Sequence, residues 1–240
     1  MEKGEYLFRV RTYECGPDGF ATMPTVCNWL QEAASINAES LGFSKTNFDA
    51  AGSNISWVLT RLVVKMDFWP KWEDEVKVVT FPRGGRKIVA WRDFELFASD
   101  GKRLGAASSE WMLIDLSTRK LVPIPEEVFG CLDPDLEPVL GPEPFTPRLK
   151  FPDGAEASEP LSFTAQRSHI DLNGHVNNVH YIEWMLEAPH PEGVKTLEAV
   201  FRSETLAGDE VRVVSAEKDG ASYYRVASPA GQDHLIAKTT

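Results

Sequence analysis

Two stretches of the chain carry apolar residues at the three- and four-residue spacing of an amphipathic helix. The first begins near Pro24, which suits the first turn of a helix, and Gly42 marks its expected end. The second covers about 177–188. The apolar stripes consist of Val26, Trp29, Leu30, Ala33 and Ala34 in the first helix, and of Tyr181, Trp184, Met185 and Ala188 in the second. Each helix is therefore expected to bury one face in a core.

Each predicted helix is followed by strand-like runs that are rich in β-branched and aromatic residues. The runs after the first helix lie at 55–68, 75–81, 87–98 and 104–115. The runs after the second lie near 196–204, 210–217, 221–228 and 233–239. Turns are predicted at Pro82–Gly85 and Ser99–Gly101. A helix followed by consecutive strands predicts an α+β unit with an antiparallel sheet.

The two halves also share sequence. Residues 28–33 match residues 183–188 at an offset of 155, and the same offset aligns Gly19 with Gly174. Residues 74–79 then match 209–214 at an offset of 135, and the following matches have an offset of 130. Because the matches keep one order, we infer an internal repeat. A helix wrapped by an antiparallel sheet, formed twice, predicts a double hotdog fold.

The repeat suggests a division of the chain into three segments. An N-terminal hotdog repeat is expected at 1–128 and a C-terminal repeat at 161–240. The intervening 129–160 is rich in proline, which is unsuited to a regular strand ladder, and is expected to be an ordered linker.

Composition narrows the class of protein. The 240 residues include no apolar run near the roughly 20 residues that span a bilayer, and the N-terminus lacks the apolar segment of a signal peptide. A cytoplasmic protein without a membrane span is expected. The net charge of −11 argues against nucleic acid as a partner. Cys15, Cys27 and Cys131 have no metal-ligand spacing and are expected to be unpaired thiols.

The strongest candidate for chemistry immediately precedes the second helix. Asp171, Asn173 and His175 alternate along the chain and supply an acceptor, a donor and a proton carrier. Asn177 or Asn178 can cap the helix, whose first amides and positive dipole end can stabilise an oxyanion. Taken singly, Asp171 and Asn173 also fit a tight turn, and His175 fits a structural imidazole. Their combination favours catalysis.

These residues lie within a wider resemblance. The string Asp171-Leu-Asn-Gly-His-Val-Asn-Asn178, together with Arg11-Thr-Tyr-Glu14, Trp57-Val-Leu-Thr-Arg61 and Phe201-Arg-Ser-Glu204, resembles the acyl-acyl-carrier-protein thioesterases. The resemblance implies a double hotdog hydrolase that releases fatty acids from the carrier protein. It also implies that the catalytic residues are Asp171, Asn173, His175 and Glu204.

One departure from the family pattern concerns the nucleophile. Many members have a cysteine directly after the second carboxylate, whereas this chain has Thr205. A thiol nucleophile at that position is therefore excluded. Whether Glu204 or His175 acts as general base, or a carboxylate attacks the thioester directly to form an anhydride, stays open at this point.

The resemblance also implies partners. The expected substrate is acyl carrier protein bearing an acyl chain on 4′-phosphopantetheine, with no metal or organic cofactor, and the enzyme could be a monomer or a homodimer. Because acyl carrier protein is acidic, docking on a chain of charge −11 needs a local basic patch. The candidate clusters are Arg83, Arg86 and Lys87, then Lys102 and Arg103, and then Arg119 and Lys120.

The first repeat lacks the chemistry of the second. At the offset of 155, Gly16, Asp18 and Phe20 occupy the places of the acid, amide and imidazole. We therefore expect one active site per chain, with the first repeat contributing walls around the acyl chain. Three alternatives are a hotdog hydrolase of acyl-coenzyme A, a non-catalytic acyl-binding hotdog module and, less consistent with the motif, a hotdog dehydratase.

Overall fold

The first apolar stripe lies on helix α1, Met23–Ser40, in the computed structural model, which describes residues 3–130, 136–189 and 193–240. Thr22 is the N-cap and accepts a hydrogen bond from the Thr25 amide at 3.3 Å. Pro24 lies in the first turn, as predicted. Gly42 has a φ of +82° just beyond the helix, a conformation that costs glycine little. All five residues of the stripe are buried.

Helix α1 packs against β1 and β3 of an antiparallel sheet in the first unit. The strands are β1 (Gly4–Arg9), β2 (Ile55–Met66), β3 (Glu75–Arg86), β4 (Val89–Ala98), β5 (Arg103–Asp115) and β6 (Lys120–Val122). Their order is β1-β3-β4-β5-β2, and β6 pairs with β5. Two short helices, α2 (Lys45–Ala50) and α3 (Glu126–Gly130), complete this unit.

The second unit repeats this arrangement. Helix α4 (Asn178–Leu186) packs against β9 and β10, and its predicted stripe is buried. The strands are β7 (Leu161–Thr164), β8 (Thr196–Phe201), β9 (Glu210–Lys218), β10 (Ala221–Ala227) and β11 (Asp233–Thr239). Their order, β7-β9-β10-β11-β8, is that of the first unit with each strand replaced by its equivalent. No helix among the described residues is long and apolar enough to cross a membrane.

Side-chain packing follows the repeat as well. Phe8 stacks on Trp29 with ring centroids 6.0 Å apart, and Phe163 stacks on Trp184 at 6.0 Å. The members of these pairs are related by the offset of 155 found in the sequence. The α+β double hotdog fold predicted from the repeat is therefore confirmed.

The chain divides into two compact units along nearly these lines. One comprises the described residues up to Thr60 together with Val64–Pro144, and the other comprises Arg61–Val63 with Phe145–Thr240. The segment boundaries at 128 and 160, and the linker between them, stay a prediction.

One predicted turn is wrong. Pro82–Gly85 lies within β3, and the chain reverses instead at residues 87–88. The pairing of β3 with β4 shifts register between Pro82 and Gly84, and such a bulge is where a strand tolerates proline. A Cβ on Gly85 would lie 2.5 Å from the Val89 carbonyl oxygen. Glycine here permits close approach of two strands.

Candidate active site

The loop that carries the candidate residues is closed by its own backbone. An isolated antiparallel bridge joins Ile170 to Val176. Inside it, the Asp171 amide donates to the His175 carbonyl at 2.8 Å, and the Gly174 amide donates to the Asp171 carbonyl at 3.0 Å. Gly174 has a φ of +84°, which favours glycine. The tight reversal brings the predicted acid and imidazole to opposite ends of one small loop.

The carboxylate of Asp171 stabilises this loop. Its Oδ1 accepts the Asn173 amide at 2.8 Å and lies 3.5 Å from the His175 amide. These contacts form an Asx turn, in which a short side chain replaces a backbone acceptor. Asp171 thus fixes the backbone on which Asn173 and His175 are presented, and Asn173 lies exposed at the tip.

Helix α4 begins immediately after the loop, with Asn177 as its N-cap, one of the two caps that the sequence allows. The Asn177 Oδ1 accepts the Val179 amide at 2.9 Å, and the Asn177 carbonyl accepts the His180 amide at 3.0 Å. Two amides of the first turn are therefore already used.

His175 and Glu204 come together across the site, although 28 residues separate them in the chain. The His175 Nε2 lies 3.2 Å from the Glu204 Oε2, with 17% of the histidine side chain and 39% of the glutamate side chain exposed. Glu204 was expected in a strand, but β8 ends at Phe201, so Glu204 lies on the irregular segment beyond it. A half-exposed carboxylate held by an imidazole is suited to moving a proton.

Thr205 occupies the position at which the family pattern often has cysteine. It is fully buried, and its Oγ1 lies 3.1 Å from His234 Nδ1. The Thr205 carbonyl accepts the Val176 amide at 3.0 Å. Thr205 therefore joins the segment carrying Glu204 to the loop carrying His175, and its hydroxyl bonds inside the protein.

The first unit has the same loop without the same side chains. The Gly16 amide donates to the Phe20 carbonyl at 2.9 Å, and the Gly19 amide donates to the Gly16 carbonyl at 2.9 Å. Gly19 has a φ of +78°, close to that of Gly174. By the offset of 135 the place of Glu204 is taken by Trp69. The backbone is duplicated, whereas the polar set belongs to the second unit.

Comparisons with known proteins identify the family of the chain. A family model described as the acyl-ACP thioesterase N-terminal domain matches residues 3–132. The model of the C-terminal domain matches residues 153–239. The chain belongs to the acyl-ACP thioesterase family.

Named relatives of this acyl-ACP thioesterase family member come from plants. The palmitoyl-acyl carrier protein thioesterase of Gossypium hirsutum, which is chloroplastic, is 37% identical over 193 residues, or 77% of this chain and 46% of that protein. The oleoyl-acyl carrier protein thioesterase of Coriandrum sativum is 33% identical over 211 residues, or 80% of this chain and 55% of that protein. The chain spans about half the length of the curated relatives it matches.

Solved structures of the family match over almost the whole chain. An acyl-ACP thioesterase from Bacteroides thetaiotaomicron superposes with a TM-score of 0.85 at 27% identity, covering 99% of this chain and 96% of that one. A 12:0-ACP thioesterase from Umbellularia californica superposes with a TM-score of 0.85 at 25% identity, covering 98% and 92%.

Two other histidines of this thioesterase family member lie beside α4. The His169 and His180 rings have centroids 4.6 Å apart, and His180 Nδ1 lies 2.6 Å from Glu183 Oε2. Burial, followed by the charge of His180, lowers the pKa of His169. Neither histidine belongs to the catalytic set that the resemblance implies. His190 and Cys131 lie outside the described residues.

Two buried polar groups near the site were not expected from sequence. His234 is 6% exposed and contacts both neighbours of Glu204. Tyr181 was assigned to the core, but its buried hydroxyl has no hydrogen-bond partner of ordinary geometry among the described residues. Burial raises the pKa of Tyr181 to about 12, although the neighbouring Thr205 acts in the opposite direction. The repeat alone could have marked His234 as a difference between the two units, because Leu104 occupies the same place in the first repeat at the offset of 130.

Proposed function

We propose that this protein hydrolyses the thioester of fatty acyl-acyl carrier protein and releases free fatty acid and holo-carrier protein in fatty acid biosynthesis. The observation that carries the proposal is the contact of His175 with Glu204 beside the start of α4, in a chain of the acyl-ACP thioesterase family. The palmitoyl, oleoyl and 12:0 names of its relatives support a fatty acyl chain as the substrate.

In the proposed reaction, the thioester carbonyl lies against the first turn of α4. Its oxygen accepts the Asn178 N–H and the Asn173 carboxamide, which stabilise the negative charge that develops there. A water molecule loses a proton to the base and its oxygen bonds to the carbonyl carbon. The tetrahedral intermediate then expels the pantetheine sulfur, which takes the proton from the base. The products are a carboxylic acid and a thiol.

We assign the base to Glu204. Its carboxylate is the more exposed member of the pair, so one oxygen can face water while the other accepts His175 Nε2–H. His175 then orients the carboxylate, and Asp171 holds the loop on which His175 stands. A general base contributes about 100- to 10,000-fold to the rate.

The assignment of the base has its own test. Glu204→Gln should abolish most turnover, and His175→Asn should reduce it less, because the carboxylate remains. If His175→Asn lost the greater part of the activity, His175 would be the base. Trapping of a substrate-derived acyl group on Glu204 would favour the anhydride route instead.

The first unit is proposed to line the acyl chain. Its loop carries Gly16, Asp18 and Phe20 where the second unit carries the acid, amide and imidazole, so a second catalytic centre there has no basis. Free fatty acid release should therefore follow one site per chain. Active-site titration that gave two sites per chain would contradict this.

Docking of the acidic carrier protein is proposed at the turn between β3 and β4. Arg86 and Lys87 are exposed there, and Arg86 lies over the Trp91 ring at 5.4 Å. Arg83, from the same predicted cluster, is 10% exposed and bonds the buried Asp93 at 3.2 Å. Arg83 thus has a structural partner, which leaves Arg86 and Lys87 to meet a carboxylate of the carrier.

A cytoplasmic location is proposed on chemical grounds. Cys15 and Cys27 are both free thiols, which persist in reducing compartments. The plant relatives are named as chloroplastic. A monomer or a homodimer is compatible with the proposal, and light scattering would distinguish them.

The function is tested with a ladder of acyl chains presented on carrier protein and, in parallel, on coenzyme A. We expect fatty acid release from carrier protein to have a higher kcat/KM than release from coenzyme A. Equal or better turnover of acyl-coenzyme A would favour the coenzyme A hydrolase alternative, and acyl binding without release would favour a binding module. Arg86→Glu with Lys87→Glu should lower kcat/KM for the carrier substrate alone. Lys218→Glu, at the corresponding turn of the second unit, is the matched control.

A further inference from the structure

The proposed base lies on a segment that the sheet does not hold. Strand β8 ends at Phe201, and Glu204 follows on irregular backbone with its side chain 39% exposed. A base must be held in a narrow range of positions relative to the thioester, because a misplacement of about 1 Å costs roughly 100-fold in rate. The contacts that fix the residues next to Glu204 are therefore part of the catalytic geometry.

One buried imidazole contacts both neighbours of Glu204. His234 Nδ1 lies 3.0 Å from the Ser203 Oγ and 3.1 Å from the Thr205 Oγ1. His234 is in β11 and is 6% exposed. The Tyr181 ring stacks over it with centroids 6.3 Å apart and an interplanar angle of 21°. The imidazole is held by a strand and an aromatic ring while it contacts the irregular segment.

The hydrogen-bond partners determine which nitrogen of His234 carries the proton. The Ser203 carbonyl oxygen lies 3.3 Å from Nδ1, and a carbonyl oxygen can only accept. The Ser203 hydroxyl donates to the Asp233 carbonyl at 2.6 Å and so accepts from His234. Nδ1 therefore carries the proton, and its N–H faces acceptors on both sides of Glu204.

The first unit provides an internal comparison. Both units have the same backbone hydrogen bond at this segment. The Arg202 amide donates to the His234 carbonyl at 2.9 Å in the second unit, and the Asp67 amide donates to the Leu104 carbonyl at 2.8 Å in the first. The polar side chains are absent, because Phe68 and Pro70 replace the serine and threonine and Leu104 replaces the histidine. The unit without the catalytic set thus also lacks the imidazole and both hydroxyls.

We propose that His234 is a positioning residue that fixes Glu204 by binding the hydroxyls of Ser203 and Thr205. The loss of kcat expected from this role rests on the proposed function, whereas the expected loosening of the segment around Glu204 does not. His234 acts through the backbone of the segment and needs no contact with substrate. It also gives Thr205 a role in place of the cysteine common in the family.

The central variant is His234→Leu, which installs the residue that the first unit uses at the equivalent place. We expect kcat to fall about 100-fold with KM changed less than about threefold. His234→Asn, which can return an N–H donor near Nδ1, should recover part of the loss. Ser203→Ala with Thr205→Val removes the acceptors instead and should reproduce the loss. The matched control is Tyr224→Phe, which deletes another buried hydrogen bond of this sheet, to Thr239 at 3.2 Å, and should leave kcat unchanged.

Two further measurements separate a positioning role of His234 from a loss of overall stability. One of them also tests the proposal independently of the proposed function. In a Glu204→Gln background, His234→Leu should change the residual kcat less than about threefold, because residues acting as one unit are not additive. Amide hydrogen exchange at residues 203–206 should accelerate in His234→Leu and not in Tyr224→Phe. That result holds without substrate, so it stands even if wild-type protein released no fatty acid. Unchanged exchange in His234→Leu, or additive losses in the double variant, would overturn the proposal.

Discussion

Gly174→Ala tests whether the backbone of the loop places the catalytic groups. Gly174 has a φ of +84°, and an added Cβ would meet nothing within 4 Å, so the substitution acts through backbone conformation alone. A non-glycine residue in the left-handed region costs roughly 1–2 kcal/mol. Alanine would relieve that cost by moving the loop, and the adjacent Asn173 and His175 would move with it.

The chain contains a matched control for this substitution. Gly19 has a φ of +78° in the equivalent loop, and its added Cβ would also meet nothing within 4 Å. For a domain of this size, 1 kcal/mol corresponds to roughly 2–4 °C in Tm, so both variants should lose about 2–8 °C. Only Gly174→Ala should also lower kcat, by about 10- to 100-fold. Gly174→Asn should recover both properties in part, because asparagine tolerates this conformation.

The assay combines thermal unfolding with fatty acid release under saturating acyl-carrier protein. Equal losses of Tm with unequal losses of kcat are the expected pattern. An unchanged Tm in both variants would refute the backbone argument. A normal kcat in Gly174→Ala, despite lowered stability, would show that the loop conformation does not position the catalytic groups.

Three further predictions concern stability and reactivity. Tyr181→Phe should lower the free energy of unfolding in urea less than Tyr224→Phe does. The Tyr181 hydroxyl lacks an ordinary partner among the described residues, whereas loss of the hydrogen bond between Tyr224 and Thr239 costs about 0.5–1.5 kcal/mol. A larger loss in Tyr181→Phe would contradict this. Gly105→Ala should destabilise the fold by about 1–3 kcal/mol, since its Cβ would lie 2.5 Å from a carbonyl oxygen of β2, and a neutral result in the same assay would count against the packing. Burial raises the pKa of Cys27 to about 12, so iodoacetamide should spare it near neutral pH and label Cys15, with Cys15 labelling increasing as pH rises; rapid labelling of folded Cys27 would contradict its burial.

The features predicted from sequence are those with a local physical signature. The stripe of α1 and the glycine after it follow from helical period and left-handed backbone, and both are found as predicted. The repeat predicted one α+β unit formed twice, because matched segments in the same order imply the same succession of elements, and the two units indeed share one strand order. The turn at Pro82–Gly85 was wrong because proline and glycine also mark bulges within strands. Helices α2 and α3 are too short to show a period.

The residues of the candidate site also differ in whether the sequence alone could group them. Asp171, Asn173 and His175 are close in sequence, so their grouping was visible before any fold was known. Glu204 was reached only through the family resemblance, because its contact with His175 depends on where β8 ends. His234 is about thirty residues further still and lies outside every motif that carries the resemblance, although its partners Ser203 and Thr205 lie within or next to one. Long-range pairs of this kind follow from the sheet, not from spacing.

The most direct test of the account is single-turnover hydrolysis of palmitoyl-acyl carrier protein by Glu204→Gln and by Glu183→Gln. Glu183 also pairs with a histidine, His180, at 2.6 Å and lies on the same unit, which makes it the matched control. A loss of about 100-fold or more is expected in Glu204→Gln at unchanged Tm, with wild-type rates in Glu183→Gln. Wild-type rates in both variants would contradict the assignment of Glu204, and absence of hydrolysis by the wild-type protein would contradict the proposed function.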